Sequence, residues 1–398
     1  MQIDFDVIVV GAGPSGTAAA YRLKQSGYRV LLLDKQQFPR IKPCGGGITI
    51  KALNLMPWSI GQVIERAVKK LGIGVTGTSL ERFEVFEANE YVCTFALREE
   101  FDRLNFEKTI AAQVEFEHGY ELAEIEERSG CVRALIGPNK VTTRYLIGAD
   151  GANSSVRRLL NAGRNNFYRG FAIEGLVHYA HVGAEPIAEF FFGKVRNGYG
   201  WLFPKADHVN VGIYTWDGNV TLSKEQLRAY SVDRVGTDKL EDIIGFPIGF
   251  GGHRYFPNRD RIILVGDAAG FAEPFRGEGI YNALKSGQAA ASAIASVDSG
   301  RSSGLPLAYE RELRPIFNDL ARCECLKRFF YRNLEGIGYG VLRSPISKTA
   351  LMRGFAAGKT TYEITNTFFL SPFFQPARPL GLREFLSNAR DDGISHAG

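Results

Sequence analysis

The chain has 398 residues, enough for two or more domains with cores of their own. Forty-five glycines suit a fold in which the backbone approaches a ligand at several points, and 48 Lys and Arg against 43 Asp and Glu leave a net charge of +5. An excess so small and dispersed suits an anionic cofactor and, without zinc-finger spacing or a long basic block, argues against nucleic acid.

Five scattered cysteines are too few for a disulfide framework, so a reducing compartment is expected. Cys323-Glu324-Cys325 lies on an expected helix, where positions i and i+2 do not face one another, so no metal site is expected there. No basic-then-apolar signal opens the sequence, and no run of eighteen apolar residues is present to span a bilayer. A cytoplasmic protein is the expectation.

The first 34 residues carry the strongest pattern. The apolar run Val7–Val10 leads into Gly11-Ala12-Gly13-Pro14-Ser15-Gly16, an alanine-rich helix over Thr17–Gln25 closed by Gly27, and a second apolar run, Val30–Leu33, ending on Asp34. Strand, glycine turn, small-residue helix, strand and acid make a dinucleotide-binding β-α-β unit. Gly11 serves the turn, Gly13 the approach of backbone to a pyrophosphate, and Gly16 the packing of helix on sheet. Asp34 stands where an acid accepts the ribose hydroxyls. A carboxylate there favours FAD or NAD over NADP, whose 2′-phosphate it would repel.

Lys35 to Thr49 holds two prolines and the run Gly45-Gly46-Gly47, which forbid a long regular element. Such a loop lies flat against a planar ligand or carries a phosphate. Arg40 and Lys42 make it cationic, as a phosphate contact or as a solvated face. Cys44 has no histidine in its loop, so a packed thiol beside a cofactor or substrate is expected rather than a protease-like nucleophile.

Gln62–Leu71 reads as an amphipathic helix, and Leu80–Val85 and Tyr91–Phe95 as strands of a second sheet inserted into the first domain. Arg98 opens a helix with acids near its amino end, free to pair with an acid or to reach cofactor phosphates. Val114–Ile125, Val132–Ile136 and Val141–Ile147 alternate like strands. The last ends in Gly148-Ala149-Asp150-Gly151, with a serine-rich, basic helix start after it, a second dinucleotide-loop pattern. Asp150 is placed to orient a ribose or ribityl hydroxyl, with Arg157 nearby; the bland reading is an Asp-Gly turn.

Phe171–Tyr179, Ile187–Phe192 and Val209–Trp216 read as antiparallel strands. Between them Tyr199, Trp201 and Phe203 alternate and share one face, as the wall of a large apolar pocket or as core. Arg261–Val265 runs into Gly266-Asp267, a third cofactor loop, and Gly277, Gly279 and Ile280 open the small-residue helix Ala283–Ala295. Amides there would stabilise negative charge on a reduced flavin ring, or simply cap the helix. Tyr309–Phe330 has helical spacing interrupted at Pro315. The Phe-rich stretch Phe368–Phe374 is too short to span a bilayer and fits a membrane surface, a pocket lid or a core.

These motifs together resemble the geranylgeranyl reductase family, within the larger group similar to aromatic-acid hydroxylases. The likeness rests on Gly11–Gly16 with Asp34, Pro43–Gly47, Arg98 before Phe101-Asp102, Gly148–Arg157, Tyr199–Pro204 and Gly266–Ile280. It implies an α/β protein. Residues 1–73, 98–160 and 260–300 would form a Rossmann-like FAD-binding domain, residues 74–97 and 161–259 an inserted antiparallel-sheet substrate domain, and residues 301–398 a mainly helical end. It implies FAD, NAD(P)H as electron donor, and reduction of carbon–carbon double bonds in an isoprenoid lipid or prenylated small molecule, with peripheral membrane contact in keeping. By that likeness Gly11, Gly13, Gly16, Asp34 and Lys35 hold the ADP end. Arg98, Asp150 and Asp267 hold the phosphate and ribityl parts. Cys44 lies near the flavin and substrate, Gly45, Gly46, Gly277, Gly279 and Ile280 are further cofactor contacts, and Tyr199, Trp201 and Phe203 line the prenyl tunnel. The sequence does not mark the proton donor; Cys44, Tyr199 and an ordered water are the candidates. Glu273 departs from the pattern, where relatives carry a small or amide residue. The rival reading is a flavin monooxygenase or halogenase acting on an aromatic substrate, since Trp201–Pro204 partly matches the halogenase Trp-x-Ile-Pro pattern. From a different class, a quinone- or prenyl-binding module with a vestigial flavin is the third.

Overall fold

Strands Phe5–Val10 and Val30–Asp34 are almost wholly aliphatic and buried on both faces, the signature of central parallel strands. The computed structural model describes residues 3–78, 80–119, 121–162, 166–255 and 259–368, and these two strands lie at the heart of its first sheet. Phe5–Val10 pairs in parallel with Val30–Asp34 on one side and Asn139–Gly148 on the other. Glu115–His118 and Ile262–Leu264 extend the parallel part. Cys131–Ile136 folds back antiparallel onto the first half of Asn139–Gly148, and Leu122–Arg128 pairs antiparallel with Cys131–Ile136. The stretch expected as one strand over 114–125 is therefore two, broken at Gly119, whose φ is +83°. Helices Pro14–Gln25 and Ile280–Asp298 cover the sheet along their alanine-rich faces.

The second sheet has seven strands, in the order Glu241–Phe250, Tyr168–His178, His208–Thr215, Gly198–Pro204, Glu189–Phe192, Lys70–Thr76 and Glu81–Glu87. One face turns to an aromatic cluster shared with the carboxyl-terminal helices. The other is covered by helix Lys224–Val235, which starts with a Ser223/Gln226 capping box and ends at Gly236.

A small third sheet joins Gly47–Thr49, Cys93–Ala96 and Ile64–Val68. It corrects the expected helix over Gln62–Leu71. Only a short 3-10 turn, Gly61–Val63, precedes two strands, Ile64–Val68 and Lys70–Thr76. Apolar spacing there fits either period, and the β-branched residues decided for pairing. The same sheet takes Cys93–Ala96 out of the large second sheet, where it was expected.

Helix Leu305–Arg332 packs on Ile280–Asp298 and runs unbroken through Pro315, correcting the expected interruption. Proline removes the hydrogen bond to the carbonyl four residues back. Both Pro315 and Arg311 are exposed, so the interruption falls on the solvent side of the helix, where water can replace the lost bond. Leu334–Arg343 and Pro345–Ala356 lie on strands Lys70–Thr76 and Glu81–Glu87, and Thr361–Phe368 returns to Leu305–Arg332. The Phe-rich stretch beyond Phe368 lies outside the described residues. Among the described residues no helix is long and apolar enough to cross a membrane.

Candidate functional site

The carboxyl ends of Phe5–Val10, Val30–Asp34 and Asn139–Gly148 open into one cleft, where a parallel α/β sheet places its ligands. The cavity measures about 310 Å³. Among the residues expected to bind a cofactor, Gly11, Gly13, Asp34, Lys35, Cys44, Arg98, Asp150 and Asp267 line it, as do Gly277, Gly279 and Ile280. Three distant sequence motifs therefore converge on one elongated site. Gly16 does not line it, sitting inside the first helix against the Gly11 carbonyl, and Gly45 and Gly46 lie behind its wall. Phe246, Pro247 and Ile248 line the cleft from a strand that no motif marked.

The acids of this cleft have distinct duties. Asp34 accepts hydrogen bonds from the Ala12 and Gln36 amides at 2.8 and 2.9 Å, which fixes the first glycine turn. Asp150 accepts from the Ser155 and Val156 amides through Oδ2, while its buried Oδ1 has no hydrogen-bond partner. An orphaned carboxylate oxygen at a cleft wall suits a ligand hydroxyl. Burial pushes the Asp267 carboxyl up, with Lys42 and Arg98 pulling it back. Asp102 lies wholly buried beneath the cleft. Arg98 grips it with hydrogen bonds of 3.0 to 3.1 Å, and the Arg40 guanidinium lies 3.5 Å away. Arg98 is thus both paired and cleft-lining. Arg40, Lys42 and Arg98 form a cationic wall suited to a diphosphate. Arg157 is a structural bolt instead: it is buried, donates to the Ala152 and Ala268 carbonyls, and lies over Phe167.

The loop from Cys44 to Gly47 closes one end of the cleft and is pinned from behind. A side chain at Gly45 would sit 2.7 Å from the Phe203 ring and 2.9 Å from Trp201 Nε1. Gly46 has a φ of +70° and faces the Ala96 carbonyl. Lys205 Nζ donates to the Gly45 and Ala96 carbonyls at 2.8 and 2.9 Å. Glu174 Oε1 accepts from the Cys44 amide at 2.7 Å. Trp201 Nε1 donates to Asn210 Oδ1, beside the same carboxyl. Burial pushes Glu174 up to about 7, and burial pulls Lys205 down to about 8. Sequence reasoning passed over both. The available signals were a lone acid in the apolar run Phe171–Val177 and a lysine directly after the Trp-x-Phe-Pro segment.

Beyond the loop lie the aromatic residues expected to meet substrate. Tyr199 and Trp201 are 5% and 4% exposed, and Phe203 is half-buried against Phe95. They share one face, as the alternation requires, and belong to the aromatic cluster rather than to the cofactor cavity. Tyr199 donates to the Arg276 carbonyl and Tyr214 to that of Pro274, which ties this face to the turn before Gly277. Phe275 of that turn stacks on Phe192, with Phe330 of the long carboxyl-terminal helix against both. Glu273 is buried, accepts from the Phe275 and Arg276 amides, and pairs with the Arg276 guanidinium at 3.2 Å. An acid here therefore builds the turn from within.

Residues 4–179 match the model of an FAD binding domain. The chain is 32% identical over 319 residues to the geranylgeranyl diphosphate reductase of Rhodobacter capsulatus, covering 76% of this chain and 78% of the relative. It is 30% identical over 324 residues to the menaquinone reductase of Mycobacterium tuberculosis, covering 74% and 78%. A solved structure of a geranylgeranyl bacteriochlorophyll reductase-like protein from Thermoplasma acidophilum superposes with a TM-score of 0.72 at 23% identity, over 97% of this chain and 98% of that one. The cleft and the matched domain define an FAD-dependent oxidoreductase. Within that class, the chain belongs to the geranylgeranyl reductase family.

Proposed function

We propose that this protein reduces carbon–carbon double bonds of an isoprenoid chain, with electrons taken from NAD(P)H. The supporting observation is the junction at Cys44, Gly277 and Tyr199, where a polar cofactor cleft abuts an aromatic interior across a single loop. The relatives named for geranylgeranyl diphosphate and for menaquinone share a prenyl chain and differ in the polar part, so the chain is the common element to be recognised.

Bound FAD, once reduced, supplies a hydride. The residues of this chain hold and shield. Asp34 and the first glycine turn take the adenosine end, the cations Arg40, Lys42 and Arg98 the diphosphate, and the orphaned Asp150 oxygen a hydroxyl. The aromatic face excludes water, so a proton added to an isolated alkene has to come from a protein group or an enclosed water. Cys44 lines the reacting end and is the first residue to test as that donor.

The test is anaerobic mixing of flavin-loaded protein with NADPH or NADH and either geranylgeranyl diphosphate or menaquinone, read by mass spectrometry. Product masses rising in steps of two hydrogens are expected. Oxygen-dependent hydroxylation or halogenation of an aromatic probe, with prenyl masses unchanged, would overturn the reading. In the same assay Cys44→Ser keeps flavin reduction and slows prenyl reduction on the order of a hundredfold if the thiol is the donor. Unchanged turnover removes Cys44 from that role.

A further inference from the structure

Asp34, Asp150 and Asp267 line the cleft; Glu174 does not. It sits on strand Tyr168–His178, on the face shared with Ala172, and reaches the Cys44 loop from beneath. It is 5% exposed. One oxygen holds the Cys44 amide at 2.7 Å, and the other is buried with the Asn210 side chain facing the carboxylate. A fold seldom keeps a carboxylate in its interior for stability alone, because an apolar residue serves better. Lys205 works on the same loop from the same side, through the Gly45 carbonyl. These two groups are the charged floor on which the reacting end of the cleft rests.

We propose that Glu174 is a positioning residue: its ionised carboxylate, acting through the Cys44 amide and opposite Lys205, holds the Cys44–Gly46 loop in its working place against the flavin. The inference rests on the assignment of that loop to the reacting end. A carboxylate accepts a hydrogen bond more strongly than a carboxylic acid, so the grip tightens as Glu174 loses its proton. The groups facing Glu174 are the Cys44 loop and Arg98 on the cleft side, with Lys205 and neutral Asn210 on the sheet side. Lys205 itself faces Cys93 and Glu65 from the small sheet. Burial brings the Glu174 carboxyl to about 7, so the change in grip falls near neutral pH.

The experiment titrates the flavin absorbance of the loaded enzyme between about pH 5.5 and 9, alongside prenyl turnover. Wild type shows an absorbance step near pH 7, and turnover below it is reduced by roughly 3- to 10-fold. Glu174→Gln binds flavin and lacks both the step and the acid limb. Lys205→Met removes the cation that favours ionised Glu174, so the step moves to higher pH. A step that persists unmoved in Glu174→Gln, or a wild type without a step, overturns the proposal. Should Glu174→Gln not fold, the Lys205→Met shift decides: a step that stays or moves to lower pH is fatal. An absorbance step abolished by Glu174→Gln in a protein that leaves prenyl lipids untouched would uphold Glu174 and sink the prenyl reading instead.

Discussion

The two sides of the Cys44–Gly47 loop are built on opposite principles. On the cofactor side the space is open, lined by cations and by carboxylates already positioned by backbone amides. On the other side Tyr199 packs edge-on against Phe190 and tilted against Phe192, Trp201 and Tyr214, while Phe192 stacks on Phe275, with ring centroids about 5 to 6 Å apart. A diphosphate and ribityl chain need a preformed polar cradle, because polar groups have to be paired as water leaves. The aromatic half instead closes on itself by ring packing. One loop borders both, and its underside is where charge enters the aromatic half, through Glu174 and Lys205.

The sharpest way to break the cofactor half without touching the other is Gly13→Val. Among the described residues, and apart from its two chain neighbours, the one atom within 4 Å of a side-chain carbon placed at Gly13 is Arg40 Nη2, at 3.4 Å, so the change is expected to leave the backbone in place and put the new methyls toward the cleft. Purified protein is expected to keep its circular dichroism spectrum and to lose most of its flavin, with affinity down on the order of a hundredfold or more. Full flavin occupancy in this variant would place the pyrophosphate elsewhere.

A smaller effect separates the charged underside from its aromatic surroundings. The native Glu174 carboxyl binds its proton more tightly than the ordinary carboxyl at 4.5, because burial penalises the charge. Its contribution to stability is therefore complete below about pH 4.5 and is lost as pH rises through about 7. Glu174→Gln carries no such penalty. Its melting temperature is expected to gain on wild type between pH 5 and pH 8, by an amount equivalent to at most about 3 kcal/mol, with Lys205 reducing the gain by losing its partner. Thermal melts at the two pH values measure it. A variant that loses ground at pH 8 would mean that the attraction of Lys205 outweighs the burial penalty.

The cofactor half was legible because its chemistry forces rare residues into fixed spacing. Gly11, Gly13 and Asp34 have one physical reason to occur together, and Asp150 and Asp267 repeat the strand-then-acid pattern. The aromatic half was not, because Tyr199, Trp201 and Phe203 obey the same alternation whether they face a lipid or a core. Gln62–Leu71 misread for a related reason: its apolar residues satisfy a helical period until the pairing with Cys93–Ala96 is known. Glu174 and Lys205 escaped notice because each is a single charge in a strand-rich region, and only the tertiary contact with Cys44 and Gly45 gives them meaning.

The smallest effect bears on Tyr199, the second residue expected to donate a proton. Its hydroxyl already donates to the Arg276 carbonyl, and burial, reinforced by the charge of Glu273, pushes its ionisation upward. A phenol so placed has its one proton committed to the turn that carries Phe275 and Gly277. Its work is then to align that turn with the aromatic face, as Tyr214 does one step away at Pro274. Removing a general acid costs roughly 10²- to 10⁴-fold, whereas removing one hydrogen bond to a buried carbonyl costs about 1–3 kcal/mol, partly recovered as the turn relaxes. Tyr199→Phe is accordingly expected to retain flavin and to slow prenyl turnover by less than about tenfold, with an unaltered pH profile. A larger loss, accompanied by disappearance of a basic limb, would return Tyr199 to the chemistry and move the proton path from the loop to the aromatic face.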